Sequence, residues 1–332
     1  MTIAERELGT AAGAEPMAEA EPMAEGVLPA DGLLSPELVS ELSDLSAEEQ
    51  DLVALMVHRA KTDRGRRVPL TDVSLVHEAL KIDPENDDFS VMENPAKYTA
   101  PPVLKEYPQA EKIPLPEDFL SLDFPIREVI TKRASRRDFS KGPLTLRELS
   151  TILYYGWGVR NRMIAYNVRG FPVRFAPSMG GLQSVELYFT VNAVNGLEQG
   201  LYHYSAGDHS LHLLNRGNFR RIVVRSTLFQ DWIDAASIVF FLTCDMSKVY
   251  WKYGRRAYRF VHVDLGVTAQ NLHLVTTASR LRSCMMAAYV EDSIHELLEI
   301  DGRDEFAGLL MAVGRKPSEL DPPPEPDSPA EG

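Results

Sequence analysis

One run constrains this chain more than any other: Ser-Ile-Val-Phe-Phe-Leu-Thr-Cys at residues 237–244. It has the length of a single strand and is rich in β-branched and aromatic residues. Apolar side chains fall on both alternating sets of positions, which predicts a strand buried on both faces. Such a strand needs a covering layer on each side. Around it the chain alternates between helix and strand patterns. Residues 119–133 and 217–229 read as helical, and Thr145 with Glu148 forms a capping box that opens a helix closed by Gly156 and Gly158. Residues 185–194 read as a strand leading to the turn signal Asn195-Gly196. Residues 200–204 and 209–214 read as a hairpin, 257–281 as a long helix, and 283–288 and 307–314 as further strands. There is no regular βαβ spacing, so the pattern predicts an α+β fold rather than a doubly wound one.

The 332 residues suit one large domain or two, and 44% hydrophobic with 25% charged residues excludes a wholly disordered, collagen-like or coiled-coil chain. The longest apolar stretch, residues 235–244, is too short to cross a bilayer. The opening MTIAEREL has neither a basic nor an apolar signal-peptide region. Two cysteines, Cys244 and Cys284, suit a reducing compartment, so a cytoplasmic protein is expected. The net charge of −13 is unevenly spread: residues 1–31 carry −6 and residues 317–332 carry −5, leaving about −2 for the body. The acidity belongs to the ends and says nothing against a phosphate ligand. No nucleic-acid or membrane partner is expected.

The ends and the body also differ in pattern. Residues 1–34, with EPMAE at 15–19 and again at 21–25, and the Pro-rich residues 317–332 are expected to be disordered acidic tails. Residues 35–115 are expected to be a helical extension and linker arm, with residues 83–116 read as a linker or a wrapping arm. Within it, Ser46 and Glu49 open a helix, and Lys61, Arg64, Arg66 and Arg67 lie between two helices. Such a pair is either a reader of peptide or DNA or an extension packed on the main domain. Residues 116–316 form the main domain.

Several chemistries lack their signatures. There is no GxGxxG, no GxxxxGK[ST], no HExxH and no GxSxG. His203, His209 and His212 have no acidic ligand at a telling spacing and are expected to be exposed strand histidines, with no metal.

Three segments carry chemistry. Arg133-Ala-Ser-Arg-Arg-Asp-Phe139 places three guanidiniums and a hydroxyl within five residues, a donor set for phosphate or a solvated basic turn. Arg174-Phe-Ala-Pro-Ser-Met-Gly-Gly181 stiffens a loop with proline and opens backbone N–H groups with paired glycines. Trp251-Lys-Tyr-Gly-Arg-Arg256 sets Lys252 and Tyr253 before a glycine, at a junction between helices. A lysine there acts as a base if burial or the nearby Arg255 and Arg256 lower its pKa.

These motifs, in this order and with a final Val-Gly-Arg at 313–315, resemble the nitroreductase superfamily, and in particular the SagB-type azoline dehydrogenases, over residues 120–316. The resemblance implies a mainly antiparallel central sheet flanked by helices and a homodimer with FMN between subunits. By position, Arg133, Ser135, Arg137 and Arg315 would hold the FMN phosphate and ribityl. Arg174, Pro177, Ser178, Gly180 and Gly181 would line the flavin, and the strand at 283–288 would lay its backbone near the ring, with Met285, Met286 and Ala287 as candidates. Lys252 and Tyr253 match the catalytic pair, with Lys252 as base and Tyr253 as hydrogen-bond partner or relay. The chain departs from the pattern at Gly266-Val267, at Arg280-Leu-Arg282 and at Gln183-Ser184.

The implied reaction is oxidation of a thiazoline or oxazoline in a peptide to the thiazole or oxazole, with dioxygen as final acceptor. A YcaO-type cyclodehydratase is the implied partner. Arg160, Arg162 and Arg169 would meet an acidic leader peptide or form a solvated loop. The alternatives are an NAD(P)H-dependent nitro or quinone reductase, another small-metabolite flavin oxidase, and a non-catalytic peptide-binding protein using residues 35–82.

Overall fold

The computed structural model describes residues 97–317 continuously, with scattered positions between 76 and 94. The chain divides into units of residues 1–79 and 80–332, and the fold below is that of the second. The N-terminal tail, most of the 35–82 helical extension and the tail beyond residue 317 lie outside the described residues.

Strand β1 (Glu111–Pro114) leads to helix α1 (Ile126–Lys132), β2 (Leu144–Thr145) and α2 (Leu146–Trp157). A hairpin of β3 (Val159–Ala165) and β4 (Val168–Arg174) follows, then β5 (Val185–Val191), β6 (Val194–Asn195), β7 (Gly200–Ser205) and β8 (Ser210–Arg216). Helix α3 (Arg220–Ser226), β9 (Ile238–Asp245), α4 (Ser247–Tyr253), α5 (Ala257–Ala278), β10 (Arg282–Met286), α6 (Glu291–Leu298) and β11 (Glu305–Gly314) complete the domain. Seven strands form one sheet in the order β1-β8-β7-β5-β9-β11-β10, with every pairing antiparallel.

The central run behaves as its pattern requires. Strand β9 lies between β5 and β11, with Phe241 opposite Tyr188 and Phe240 opposite Met311. Its side chains alternate between two cores. Ile238, Phe240, Leu242 and Cys244 join Leu149, Ile152 and Leu153 of α2 and Val261, Leu265 and Leu272 of α5. Val239 and Phe241 join Val223 of α3 and Ile294 and Leu298 of α6 on the other face. Each fully buried leucine or phenylalanine here contributes roughly 1.5–3 kcal/mol of transfer free energy.

Local signals set most boundaries. The Thr145–Glu148 capping box forms in full and starts α2. Gly156 does not end the helix as expected but lies within it, because a Cβ there would strike Leu272 of α5. Gly158 supplies the cap. Residues 119–133 are not helical throughout: α1 starts only at Ile126, after Pro125, since proline disfavours helical backbone at the residue before it.

One further expectation changes. Residues 97–115, read as a linker or a wrapping arm, wrap onto the domain: Ala100, Val103 and Leu115 enter the first core, and β1 is the edge strand on β8. Within this stretch Lys105 pairs with Glu305, and the Tyr107 hydroxyl lies 2.9 Å from that of Tyr188. Under this cover the histidines of β7 and β8 are interior. His203, His209 and His212 are 1%, 7% and 3% exposed, correcting their placement on the surface. His203 Nε2 meets Glu186 Oε2 at 2.8 Å, and His209 bridges the hydroxyls of Tyr204 (2.9 Å) and Ser150 (2.7 Å). Burial lowers the pKa of His209 and His212. Among the described residues, no helix is long and apolar enough to cross a membrane.

Candidate active site

Helix α4 follows the central strand and ends at Gly254, whose φ of +50° turns the chain into α5. The helix is fixed by Lys248, which forms an ion pair with Glu186 of β5; both side chains are 2% exposed. One turn later comes Lys252, half-buried, as expected at a helix junction. Its ammonium donates to the Tyr166 hydroxyl at 2.7 Å and lies 4.9 Å from the centre of the Tyr253 ring. The Tyr166 hydroxyl in turn donates to the Gly180 carbonyl at 2.6 Å. Three separate segments thus converge: the α4 terminus, the β3–β4 turn and the glycine loop.

Gly180 is required at this point. Its φ is +61°, and a Cβ would lie 2.5 Å from the Tyr253 hydroxyl and 3.1 Å from Lys252 Nζ. The loop is tied to α5 through Asp264, which accepts from the Met179 N–H (2.8 Å) and the Ser184 hydroxyl (2.7 Å). Burial raises the Asp264 pKa, partly offset by those two hydrogen bonds.

The condition for Lys252 to rest as a free base, a lowered pKa, is not met. Burial acts to lower it, but hydrogen bonds to Tyr166 and Tyr253 outweigh burial and hold the ammonium above the ordinary lysine value. The neighbouring arginines turn elsewhere. Arg255 reaches the Lys81 carbonyl at 3.4 Å, and Arg256 lies 5.6 Å from the Phe260 ring centre. Lys252 therefore rests charged at neutral pH.

The basic segment forms a second group. Arg133 caps α1, and the Arg136 N–H donates to the Ser283 carbonyl at 2.9 Å, laying Ser135 beside β10. Arg133, Arg136 and Arg137 pair with no carboxylate among the described residues, whereas Arg282 is taken by Asp138. The buried Ser283 hydroxyl alongside has no hydrogen-bond partner. Open guanidiniums beside an orphaned hydroxyl fit an oxyanion. This segment docks on α5 at His273, whose Nε2 lies 3.3 Å from the Ala134 carbonyl. The two groups are therefore anchored on one helix, nine residues apart, about 13 Å along its axis.

The remaining expected residues separate. Pro177 is exposed, and the Ser178 hydroxyl accepts from the Gln183 N–H at 3.0 Å, closing the loop that holds Gly180 and Gly181. Arg174 is only 3% exposed, stacked 4.4 Å over Trp157 and donating to its carbonyl at 3.1 Å, so it supports the loop from inside rather than facing a ligand. Arg315 clasps the start of α2 through Glu148 (2.6 Å) and the Pro143 carbonyl (2.7 Å), which leaves its guanidinium engaged. On β10, Met285 is partly exposed and Met286 enters the second core; Ala287, just beyond the strand, is exposed. Ala287 and the face of Met285 thus remain open to a ligand, while the Met286 side chain does not.

Sequence reasoning missed Tyr166. It sits at the turn of the hairpin with φ of +50°, followed by Asn167 at +58°. Paired positive φ values define the tight turn that matches strand twist, and a tyrosine there is strained by roughly 1–2 kcal/mol. The one local signal was Asn167, a residue that tolerates this conformation. Arg160, Arg162 and Arg169 lie on this two-stranded ribbon rather than on a loop; Arg162 is held by the carbonyls of Gly170 (3.2 Å) and Gly207 (2.6 Å).

Comparison with known proteins points one way. A profile described as the nitroreductase family matches residues 130–315. MJ1384 of Methanocaldococcus jannaschii, which carries a nitroreductase name, is 35% identical over 191 residues, covering 58% of this chain and 91% of that protein. The trifolitoxin operon protein TfxC of Rhizobium leguminosarum bv. trifolii is 22% identical over 197 residues, covering 57% of this chain and 55% of that one. A crystal structure from Anabaena variabilis, also carrying a nitroreductase name, superposes with a TM-score of 0.60 at 24% identity, covering 77% of this chain. This chain spans 49% of that structure, and the likeness concerns the fold alone.

Proposed function

The chain belongs to the nitroreductase family, and on that premise we propose that it is an FMN-dependent dehydrogenase that oxidises thiazoline or oxazoline rings in a peptide to thiazoles or oxazoles. The observation that carries this reading is the contact of Lys252 Nζ with the Tyr166 hydroxyl at 2.7 Å, beside Tyr253 and against Gly180. It is an apparatus for moving a proton. A reductase fed by a nicotinamide needs no such base for its donor half-reaction.

The residues present fit FMN. Arg133, Ser135 and Arg137 with the orphaned Ser283 hydroxyl suit a phosphate, and the Pro177–Gly181 loop with Met285 and Ala287 offers open backbone to a flat ring. When bound, FMN supplies a two-electron acceptor for hydride.

Aromatising an azoline removes one proton and one hydride. This chain's own part is the proton. Because Lys252 rests as an ammonium, it takes the ring proton only after losing one, and the Tyr253 hydroxyl beside it is the relay, accepting that proton as it passes its own to water. The glycine loop holds the pair in place and lets the ring approach without a Cβ in the way.

The likeness to a trifolitoxin operon protein supports a peptide natural product as substrate. In this reading the enzyme is a homodimer, its substrate comes from a YcaO-type cyclodehydratase, and dioxygen is the final acceptor. The test is anaerobic: bleaching of the flavin absorbance by an azoline-containing peptide alone is the expected result. Bleaching only by NAD(P)H moves the protein to the nitro or quinone reductases, and a protein that cannot be loaded with FMN overturns the reading.

A further inference from the structure

We propose that Tyr166 is a positioning residue of this site: its hydroxyl, locked to the Gly180 carbonyl, holds Lys252 as the ammonium and so decides when that lysine can accept a proton. The inference deepens the dehydrogenase reading and rests on it for its catalytic meaning.

The argument starts from hydrogen-bond direction. The Gly180 carbonyl accepts only, so across their 2.6 Å contact the proton must come from the Tyr166 hydroxyl. With its proton committed, that hydroxyl presents only a lone pair to Lys252 at 2.7 Å. It therefore accepts from the ammonium, whose polar hydrogens are all donors, and has no proton to give to the lone pair of the neutral amine. Lys252 also lies 4.7 Å from the centre of the Tyr166 ring, within cation–π range, which again favours the charged form.

Strain supports a role beyond packing. Tyr166 keeps a left-handed backbone that glycine or asparagine adopts more easily, and its ring packs edge-on against Trp251 (5.6 Å) and Phe171 (5.5 Å). The turn is pinned from outside as well: the Ala100 N–H donates to the Tyr166 carbonyl at 3.2 Å. A strained residue is thus held by several elements in the position that places one oxygen between Lys252 and the glycine loop.

Among the described residues, the groups facing Lys252 are few. From the hairpin it is Tyr166, and from its own helix Tyr253. On α5, the Asp264 carboxylate is taken up by Met179 and Ser184. Beyond the helix end, Arg255 and Arg256 are directed to the Lys81 carbonyl and the Phe260 ring. Removing one hydroxyl therefore removes a main support of the charge.

The test is the titration of Lys252 in the full-length protein, read by acetic anhydride labelling against pH and quantified on the Lys252 peptide by mass spectrometry. Tyr166→Phe keeps the ring and removes the oxygen. The expected result is a labelling midpoint about one pH unit lower, a tenfold change in the fraction of free amine. If the single variant does not fold, Tyr166→Phe/Asn167→Gly relieves the turn and is compared with Asn167→Gly alone. An unchanged midpoint overturns the proposal. The labelling needs no azoline, so it stands or falls separately from the flavin-bleaching test. If both succeed, the acid limb of azoline-dependent bleaching moves down in pH with the labelling midpoint.

Discussion

Glu186 and Lys248 form an ion pair in the interior, each side chain 2% exposed, joining the sheet to helix α4 one turn before Lys252. Glu186 also meets His203 at 2.8 Å, and its pKa is pushed down by the Lys248 charge, the His203 hydrogen bond and Arg174, which outweigh burial. The pair fixes the helix that carries the proposed base.

Breaking that pair from one side is expected to be worse than removing it whole. Lys248→Met leaves a buried carboxylate with reduced compensation and should cost about 3–5 kcal/mol. Glu186→Gln/Lys248→Met should cost clearly less. Urea denaturation checks this, and equal losses in the two variants would reject it.

Gly180→Ala and Gly181→Ala separate strain from collision. Both positions have positive φ, +61° and +71°, so each substitution should cost about 1–2 kcal/mol in backbone strain. Only at Gly180 does the added Cβ meet Tyr253 and Lys252. Lys252 and Tyr253 should be displaced in Gly180→Ala, so turnover should fall further there than in Gly181→Ala, once melting curves show both are folded.

Lys252→Ala and Tyr253→Phe should each lower azoline oxidation by about 10²–10⁴-fold, the usual range for a general acid–base group. The flavin spectrum should be retained. Stopped-flow bleaching measures this, and full turnover in Lys252→Ala would end its assignment.

The arginines should divide by location. Arg133→Ala and Arg137→Ala remove open guanidiniums, so FMN should bind more weakly while melting changes little. Arg174→Ala strips the stack on Trp157 inside the protein and should lower the melting temperature first. Fluorescence titration with FMN beside calorimetry distinguishes the two patterns.

Acid should destabilise the fold through its buried histidines. Burial holds His209, His212 and His273 below the ordinary value of 6.5. Below that pH the unfolded chain binds more protons than the folded one. Stability is therefore intact above about pH 6.5 and falls as the pH drops through it toward the lowered folded values. Urea midpoints at pH 7.5, 6.5 and 5.5 should decline in that order, and a flat series would contradict the burial.

The helix junctions and most of the sheet were legible because each is written locally. The apolar run of β9 follows from its alternation, α2 from the Thr145–Glu148 box, and the α4 junction from Gly254. The 200–204 and 209–214 hairpin is found as β7 and β8. Burial of their histidines was not legible, because β1 and Tyr107 come from a segment whose Pro- and Asn-rich composition reads as linker.

By itself the sequence determined the α+β class, the doubly buried strand and the order of the three motif segments, since these depend on periodicity, caps and glycines within a few residues. Only the tertiary structure decided which side chains meet. Tyr166 reaches Lys252 across 86 positions, Arg174 turns inward onto Trp157, and Arg315 closes on Glu148. The physical reason is that a side chain's partners, and with them its charge state, are set by long-range strand pairing and helix packing. A motif fixes which groups are present, whereas packing fixes whether each one faces a ligand, a neighbour or the core.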